Sequence, residues 1–458
     1  MDIDNYLSSR QWATAGNLTI PAREKKVFAI NDLALTQQSK NVLNASPYNG
    51  RVYLHQKKTI QFFLEGNNVC LATGTASGKS LAFQIAAVEA LARNPTAKVI
   101  AIYPMKALGN EQASRWRDLM IKAEMKLKVG RIDGSVKGKK NRLDILKNSQ
   151  IVVFTPDIIH AWLFSNLSNE TVQEFLRNIS LIIVDEIHTY TGVFGSNTAF
   201  LFRRIRHTLD LFGTSAQFIC ASATISEPLQ HLQKLFGIDF TLVDQEEDTS
   251  PKHETNIQLI QPPKESNFLT EITQLLSYIT QHTTSRFITF VDSRVQVEHI
   301  TSILSREKGD DDEIEDTSLL EKLQVLPYRA GYEDADRNKI QDRLRNSKLR
   351  GVVSTSALEL GLDIPGLDLC VLVGVPSSQT SLYQRIGRIG RHSKGHVLII
   401  YGGDIYDQAV FANPQELLRR PPAESALYLE NQYIQYIHAL CLARLDGEHD
   451  QIQKALHK

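Results

Sequence analysis

The chain is 458 residues long, with 42% hydrophobic and 22% charged residues, which is the composition of a globular protein of about two or three domains. Its 51 basic and 51 acidic residues cancel, so the charge gives no indication of a polyanion as a partner. Four scattered cysteines argue against a disulfide framework or a structural zinc, and the lack of a signal peptide or a membrane-length apolar run predicts a cytoplasmic protein without a membrane partner.

Residues 1–49 are a polar N-terminal extension with several turn signals. Beyond them, short apolar runs alternate with helical stretches, a pattern typical of buried parallel strands joined by crossover helices. The runs of the first half lie at residues 69–72, 99–103, 151–154, 181–184 and 218–221. They predict an α/β domain over residues 50–245.

A polar connector at residues 244–252 predicts a linker, after which the pattern resumes. The apolar runs of the second half lie at residues 287–291, 352–354, 370–373 and 397–401. They predict a second α/β domain over residues 246–412, interrupted by an acidic run at 310–316 that we expect to be solvated. Residues 413–458 are expected to form a short helical tail or part of a truncated accessory domain.

The strongest chemical signal is the sequence TGTASGKS at residues 73–80, between an apolar run and an apolar helical stretch. A loop in this position directs backbone amides and a helix N-terminus at a phosphate group. We predict that Lys79 reaches the β- and γ-phosphates of a nucleotide and that Ser80 ligates Mg²⁺. Thr73 stands where the strict pattern has glycine. The candidate nucleotide-binding residues of the loop are Thr75, Ala76, Ser77, Gly78, Lys79 and Ser80.

A second signal is the pair Asp185-Glu186, directly after an apolar run. A carboxylate at the C-terminal end of a parallel strand beside a phosphate loop can hold the magnesium of a nucleotide, which we expect of Asp185. Glu186 is placed to orient or deprotonate the attacking water. We interpret His188 as coupled to the nucleotide because of the motif around it.

With these signals the chain resembles the superfamily-two helicases of the DExH type, whose motifs occur here in the family's order from Gln56 to Tyr401. The segments that carry the resemblance are TGTASGKS (73–80), YPMKAL (103–108), TPD (155–157), DEIH (185–188), SAT (222–224), FVDSR (290–294), STSALELGLDI (354–364) and YQRIGRIGR (383–391). The resemblance implies an α/β fold of two tandem RecA-like domains with parallel sheets, together with the N-terminal extension and the short helical tail. It also implies ATP hydrolysis with Mg²⁺.

The same resemblance implies roles for single residues. Gln56 is expected to read adenine, and Gly361 and Asp363 of the fifth motif are expected to bind the nucleotide. The residues expected to contact the nucleic-acid backbone are Pro104, Lys106, Thr155, Ser293, Arg294 and Thr355. The residues expected to couple hydrolysis to domain movement are His188, Ser222 and Thr224.

The first domain offers no arginine for the charge that develops on the γ-phosphate during hydrolysis. Arg388 and Arg391 of the second domain, three residues apart on an expected helix, are predicted to supply it. Gln384 in the same stretch is expected to sense the phosphate or the water. Gly387 and Gly390 would weaken a helix without local benefit, which indicates close approach to another surface.

A narrower resemblance, to the YprA/MrfA-type DNA-repair helicases, rests on the segments TASGKS (75–80) and HTYTGVFGSN (188–197). It implies movement in the 3′-to-5′ direction on single-stranded DNA and a cysteine-rich, zinc-binding C-terminal module. The sequence stops at Lys458 without a cysteine cluster, so we expect either a truncated chain or a variant that lacks the module.

We therefore predict an ATP-dependent DNA helicase or translocase of DNA repair or defence, with single-stranded or tailed duplex DNA as its partner. Two alternatives remain open: an RNA helicase, and a nucleic-acid-dependent ATPase clamp that does not unwind. A metal-dependent nuclease is disfavoured, because no further carboxylate or histidine cluster remains. Phe194 is either a strand-separating aromatic or a core residue, and the basic run at 203–207 either tracks DNA or forms a solvated helix face.

Overall fold

The computed structural model describes residues 3–223, 225–293, 295–300, 324–328, 334–346, 348–355, 358, 366–391, 393–422 and 425–456. The acidic run at 310–316 lies outside the described residues, as do four predicted site residues, Thr224, Arg294, Gly361 and Asp363. The chain divides into two compact units. The phosphate-loop unit consists of Lys25–Ser250 and Glu424–Lys458, and the second unit consists of Met1–Glu24 and Pro251–Ala423.

Strands and helices alternate through both units. The strands are β1 (Ala13–Ile20), β2 (Phe28–Ala29), β3 (Arg51–Val52), β4 (Val69–Ala72), β5 (Lys98–Ile102), β6 (Val129–Ile132), β7 (Ile151–Phe154), β8 (Ile179–Val184), β9 (Gln217–Ser222), β10 (Thr241–Val243), β11 (Thr255–Gln261), β12 (Phe287–Phe290), β13 (Val325–Tyr328), β14 (Gly351–Ser354), β15 (Leu369–Val373) and β16 (Gly395–Ile400). The helices are α1 (Ile3–Ser9), α2 (Gln37–Asn44), α3 (Leu54–Leu64), α4 (Lys79–Arg93), α5 (Lys106–Lys122), α6 (Lys139–Asn148), α7 (Pro156–Ile158), α8 (Glu170–Arg177), α9 (Gly192–Leu211), α10 (Pro228–Phe236), α11 (Phe268–His282), α12 (Asp334–Arg345), α13 (Gln379–Ile386), α14 (Ile405–Ala412), α15 (Glu416–Arg419), α16 (Gln432–Ala443) and α17 (Glu448–Leu456). Shorter helical turns lie at Ile159–Leu163, Phe164–Asn166, Ile187–Thr189 and Gln245–Glu247.

The sheet of the phosphate-loop unit is parallel throughout, in the order β10-β4-β9-β8-β5-β7-β6. Both faces of this sheet are covered, so its strands bury side chains on both sides. In β8, Leu181 and Ile183 enter one hydrophobic core, and Ile182 and Val184 enter the other. This double burial explains the continuous apolar runs of the sequence, and the predicted α/β fold with parallel sheets is confirmed.

The sheet of the second unit has the order β1-β11-β16-β15-β12-β14-β13. Its pairs are parallel except for β1 with β11, which are antiparallel with Leu18 opposite Ile257. β1 therefore covers the edge that β11 would otherwise expose. The N-terminal extension is thus not one element, because residues 13–20 complete the second sheet whereas residues 25–49 belong to the phosphate-loop unit.

The polar segment that was expected to be a linker is hydrogen-bonded to the phosphate-loop unit. Asp248 is buried, and its Oδ1 accepts hydrogen bonds from the amide and the hydroxyl of Ser250, at 3.0 and 2.6 Å. Thr249 Oγ1 accepts from the amide of Leu54 (2.9 Å) and donates to the carbonyl of Lys26 (2.8 Å). Asp248 and Thr249 of this segment therefore bond to backbone groups of the unit, whereas Gln245 and Glu246 are exposed to solvent.

The predicted tail is divided between the two units. Residues 413–422, with α15, belong to the second unit, whereas the residues from Ser425 onward, which we call the tail, belong to the phosphate-loop unit. Ile452 of α17 is buried in the hydrophobic core that also holds Ile182 and Val184, and Leu427 and Leu429 pack against the same core. No helix in the described part of the chain is long and apolar enough to cross a membrane.

Candidate functional site

The predicted phosphate loop joins the end of β4 to the start of α4. Lys79 is the first residue of α4, and its Nζ donates to the carbonyls of Thr73 (2.9 Å) and Gly74 (2.8 Å). The hydroxyls of Thr73 and Ser77, both buried, lie 2.9 Å apart within hydrogen-bonding distance. Thr73, which departs from the glycine of the strict pattern, thus ties the loop together through its hydroxyl. A lysine and a helix N-terminus placed in this way suit a phosphate group.

Ala76 occupies the left-handed region of the backbone, with a φ of 58°. We expect Ala76→Gly to stabilise the phosphate-loop unit by about 0.5–1 kcal/mol, because this region costs a non-glycine residue roughly 1–2 kcal/mol and the greater freedom of unfolded glycine offsets only part of that. The midpoint of thermal unfolding measures the change.

The matched control for that variant is Ala439→Gly, because Ala439 is an exposed alanine inside α16. Glycine in a helix interior is expected to destabilise the chain by about 1 kcal/mol. If both variants lowered the midpoint equally, the backbone of Ala76 would not be strained.

Gln56 is fixed between the start of α3 and the phosphate loop. Its Oε1 accepts from the amide of Tyr53 (2.9 Å), and its Nε2 donates to the carbonyl of Gly78 (2.8 Å). The Tyr53 ring also lies near the loop, 3.9 Å from the place of a Cβ at Gly78. The structure therefore brings Gln56 to the nucleotide loop, while adenine reading stays a prediction. From the sequence, Tyr53 was not expected near the nucleotide loop. Its position three residues before Gln56 was the only available signal.

The carboxylate pair lies at the C-terminal end of β8. The amide of Asp185 donates to the carbonyl of Ile102 (3.0 Å), and its Oδ1 accepts from the amide of Glu186 (2.9 Å). Burial, followed by the charge of Glu186, raises the pKa of Asp185, and the charge of Lys79 opposes this rise. Since β9 lies between β4 and β8, the sheet brings the lysine and both carboxylates to one edge.

The groups at this edge fit a nucleotide with its magnesium ion. The hydroxyl of Ser80 and the carboxylate of Asp185 are the oxygen ligands that Mg²⁺ prefers. Burial is the main cause of the raised pKa of Asp185, and a divalent cation bound beside it would favour the charged carboxylate.

His188 links the carboxylate pair to the end of β9. Its Nδ1 accepts from the amide of Ala223 (3.3 Å) and lies 3.5 Å from both Ser222 Oγ and Glu186 Oε2. Burial lowers the pKa of His188, which favours the neutral ring, while the charge of Glu186 opposes this shift. The structure therefore brings the predicted coupling residues His188 and Ser222 together beside Glu186.

Arg388 and Arg391 were predicted to lie on a helix, but the helix ends before both residues. α13 stops at Ile386, and Gly387 is its C-cap. Arg388 is buried and its Nε donates to the carbonyl of Gln384 (3.3 Å), while Nε of Arg391 donates to the carbonyl of Gly387 (3.2 Å). The helical placement of these arginines was wrong, because a glycine readily ends a helix. Their proposed role does not depend on helical spacing.

In the phosphate-loop unit, the nucleic-acid candidates follow two paired strands. Pro104 and Lys106 follow β5, and Thr155 follows β7. Lys106 is exposed at the first position of α5, whereas Thr155 is buried as the N-cap of α7. Lys106 Nζ lies 2.9 Å from the place of a Cβ at Gly134, so the loop after β6 joins this edge. Sequence reasoning missed that loop, although the dipeptide Asp133-Gly134 is a turn signal.

In the second unit, Ser293 follows β12 and Thr355 follows β14, and these strands pair in parallel. Ser293 Oγ accepts from the amide of Gln296 (3.1 Å), and the amide of Ser293 donates to Gln296 Oε1 (3.2 Å), as in the cap of a helix N-terminus. The carbonyl of Thr355 accepts from the hydroxyl of Ser354 (2.9 Å). Each pair of candidates thus lies at the carboxyl edge of its own sheet, and nucleic-acid contact by these residues stays a prediction.

The basic run at 203–207 forms contacts within the chain that the sequence did not indicate, and contact of this run with DNA stays a prediction. Arg203 and Arg206 donate to backbone carbonyls at the C-terminal end of α10, at 2.8 and 2.7 Å. Arg204 is buried and forms an ion pair with Glu448. These three guanidinium groups therefore hold α10 and the tail on α9.

Phe194 lies at the surface edge of a hydrophobic core. Its ring stacks on that of the buried Tyr190, with the centroids 5.3 Å apart, and 38% of the residue is exposed. Its packing role is therefore established, and strand separation by its exposed side stays a prediction.

Two family patterns match this chain in tandem. The pattern of the DEAD/DEAH box helicases covers residues 53–232, which include the phosphate loop and the carboxylate pair. The pattern of the helicase conserved C-terminal domain covers residues 269–393, which include Ser293 and both predicted arginines.

Curated relatives match nearly all of this chain. It is 31% identical over 445 residues to the ATP-dependent helicase hrq1 of Schizosaccharomyces pombe, with 93% of this chain and 40% of the relative covered. It is 30% identical over 404 residues to the uncharacterized ATP-dependent helicase YprA of Bacillus subtilis, with 86% of this chain and 52% of the relative covered. The chain thus spans about half the length of these relatives, or less.

Among solved structures, the crystal structure of the DUF1998 helicase MrfA bound to DNA superposes with a TM-score of 0.84 and 28% identity. The match covers 96% of this chain and 61% of that protein. The structure of MrfA bound to DNA and AMPPNP gives a TM-score of 0.85 at the same identity, with 96% of this chain and 60% of that one covered.

Proposed function

Because this chain belongs to the superfamily-two helicases, which hydrolyse ATP, we propose that it uses hydrolysis to move along single-stranded DNA in the 3′-to-5′ direction and to separate strands. We propose DNA repair or defence as its setting. The observation that most directly supports the use of ATP hydrolysis is that Lys79, the Asp185-Glu186 pair and His188 lie together at one edge of the phosphate-loop sheet.

Phosphoryl transfer to water needs positioning and charge neutralisation more than covalent chemistry. In this proposal, Lys79 and the amides of the loop bind the phosphates of ATP. Ser80 and Asp185 hold Mg²⁺, which supplies further positive charge when bound. Glu186 orients the attacking water and accepts its proton.

The proposed track is DNA rather than RNA. The relative MrfA was crystallised with DNA, and its similarity extends over nearly the whole of this chain. The candidate contacts Lys106, Thr155, Ser293 and Thr355 are a lysine and hydroxyl groups, which suit phosphates and carry no base information. We therefore expect binding without sequence preference and with a steep salt dependence.

We expect single-stranded DNA to raise ATP turnover by about tenfold, a typical size for coupling between two sites, and to act more strongly than RNA of equal length. The measurement is steady-state ATP hydrolysis at matched salt. It is paired with strand separation on duplexes that carry either a 3′ or a 5′ tail, and only the 3′-tailed duplex should open. The control is Lys79→Ala, which should lose hydrolysis and strand separation together.

The other outcomes select between the alternatives. Stronger stimulation by RNA would make this chain an RNA helicase. DNA-stimulated turnover without strand separation on either substrate would favour a clamp or a translocase that does not unwind. Full turnover by Lys79→Ala would contradict the assignment of the ATP site.

A further inference from the structure

The tail contacts one face of α9 along most of its length. The residues of α9 that contact the tail include Gly192, Ser196, Phe200, Arg204 and His207. Residues three and four apart form a single stripe on a helix. α9 begins shortly after Glu186, so the tail is seated on the helix that continues directly from the catalytic turn.

At the start of α9 the tail is joined by direct hydrogen bonds. The amide of Gly192 donates to the carbonyl of Ala426 (2.8 Å), and the amide of Tyr428 donates to Ser196 Oγ (2.7 Å). The Ser196 hydroxyl in turn donates to the carbonyl of Gly192 (2.6 Å). The first turn of α9 is therefore bonded to the tail backbone at two points.

Packing at this point leaves no space for a side chain. A Cβ at Gly195 would lie 2.3 Å from the backbone of Tyr190 and 2.7 Å from Leu427 Cδ2. Tyr190 follows the helical turn Ile187–Thr189, which itself follows the carboxylate pair. Gly195 therefore packs between Tyr190, in the segment that follows the carboxylates, and Leu427 of the tail.

Far from the carboxylates, a buried ion pair anchors the tail. Arg204 Nε donates to Glu448 (3.1 Å), a second bond joins the same two side chains, and each side chain is 4% exposed. Arg204 Nη1 also contacts Nδ1 of His160 (3.0 Å) and of His438 (2.9 Å). A buried guanidinium group requires such partners, so these contacts keep α16 and α17 on α9.

Glu186 needs support from its surroundings. Its φ of 55° lies in the left-handed region, which a glutamate keeps only when the neighbouring structure holds it there. The carbonyl of Glu186 accepts hydrogen bonds from the amide (2.9 Å) and the hydroxyl (2.8 Å) of Thr189, and the neighbouring Tyr190 packs against Gly195 of α9. Since Gly195 also lies against Leu427, the tail contacts the helix turn that supports the segment after Glu186.

We propose that the C-terminal tail is a positioning element for ATP hydrolysis. Residues 425–428 hold the turn after Glu186 so that its carboxylate stays directed at the attacking water, and the Arg204–Glu448 pair keeps those residues in place. The inference rests on the role proposed above for Glu186. Since the contacts fall on α9 whereas ATP binding is assigned to the phosphate loop, the tail acts on kcat and not on the affinity for ATP.

The test uses Ser196→Ala and Leu427→Ala, which weaken the contact near Glu186 without removing a charge. Each should lower kcat of DNA-stimulated ATP hydrolysis about tenfold and leave KM for ATP within about twofold. Leu427→Met, which conserves volume, should restore turnover. The matched control is Tyr433→Ser, because Tyr433 is 73% exposed in the same tail.

Thermal unfolding and the binding of a fluorescent ATP analogue are measured on every variant. A fall in kcat with native ATP binding and a folded chain at the assay temperature supports the inference. Native kcat in Ser196→Ala and Leu427→Ala, or an equal loss of ATP binding, overturns the inference alone. If the native chain itself did not hydrolyse ATP, the proposed function would fail, and the inference with it.

Discussion

The Glu186→Gln variant is expected to bind ATP as the native chain does and to hydrolyse it about a thousandfold more slowly. Glutamine preserves the size of the side chain but cannot take the proton of the attacking water. In the structure, Glu186 directly follows the buried Asp185, and its Oε2 lies 3.5 Å from Nδ1 of His188. Steady-state hydrolysis and equilibrium ATP binding, both with saturating single-stranded DNA, measure the two quantities.

The control for this prediction is Glu246→Gln, since Glu246 is an exposed glutamate of the same unit and should tolerate the change. Turnover near the native value in Glu186→Gln would show that another group activates the water. A loss of ATP binding would show instead that Glu186 holds the nucleotide.

The second large effect is expected from Arg388→Lys, which should lower ATP turnover about a thousandfold while the chain stays folded. Lysine retains the positive charge but not the planar fork that can bond two phosphate oxygens at once. Arg388 is buried, and its Nε donates to the carbonyl of Gln384. ATP hydrolysis with saturating DNA is the measurement, and thermal unfolding reports the fold.

Arg419→Lys is the matched control in the same unit, because Arg419 is exposed. Its ion pair with Glu416, at 3.9 Å, lies on the surface and contributes little to stability. Near-native hydrolysis by Arg388→Lys would remove Arg388 from the proposed site. The same substitution at Arg391 then tests whether that residue acts in its place.

Much of the candidate site could be predicted from the sequence because it is built from local segments. The phosphate loop and the carboxylate pair each follow a strand that is buried on both faces, and such a strand leaves a continuous apolar run. In a parallel sheet the carboxyl ends of the strands share one edge, so Lys79 and Asp185 were expected at the same edge. The strand order β4-β9-β8 then places them near each other. The roles of the individual residues stay predictions, including those of Thr224, Arg294, Gly361 and Asp363.

Other expectations failed where a local pattern permits more than one structure. Gly387 and Gly390 were interpreted as costs within a helix, whereas α13 ends at Gly387 and Gly390 has a φ of 68°. The arginines at 203–206 were expected to meet either DNA or solvent. Arg204 is buried in an ion pair with Glu448 of the tail, and Arg203 and Arg206 also bond to α10. The spacing of arginines along a helix indicates which face is basic. The partner of each guanidinium group depends on which other elements pack against that face.

The sequence by itself therefore determined the two α/β units, their parallel strands and the edge at which the nucleotide residues meet. Only the tertiary structure decided that the N-terminal strand completes the second sheet, with Leu18 opposite Ile257, and that the tail belongs to the phosphate-loop unit. The physical reason is separation along the chain. Arg204 and Glu448 are 244 residues apart, and the sequence around each residue does not indicate that the two form a buried ion pair.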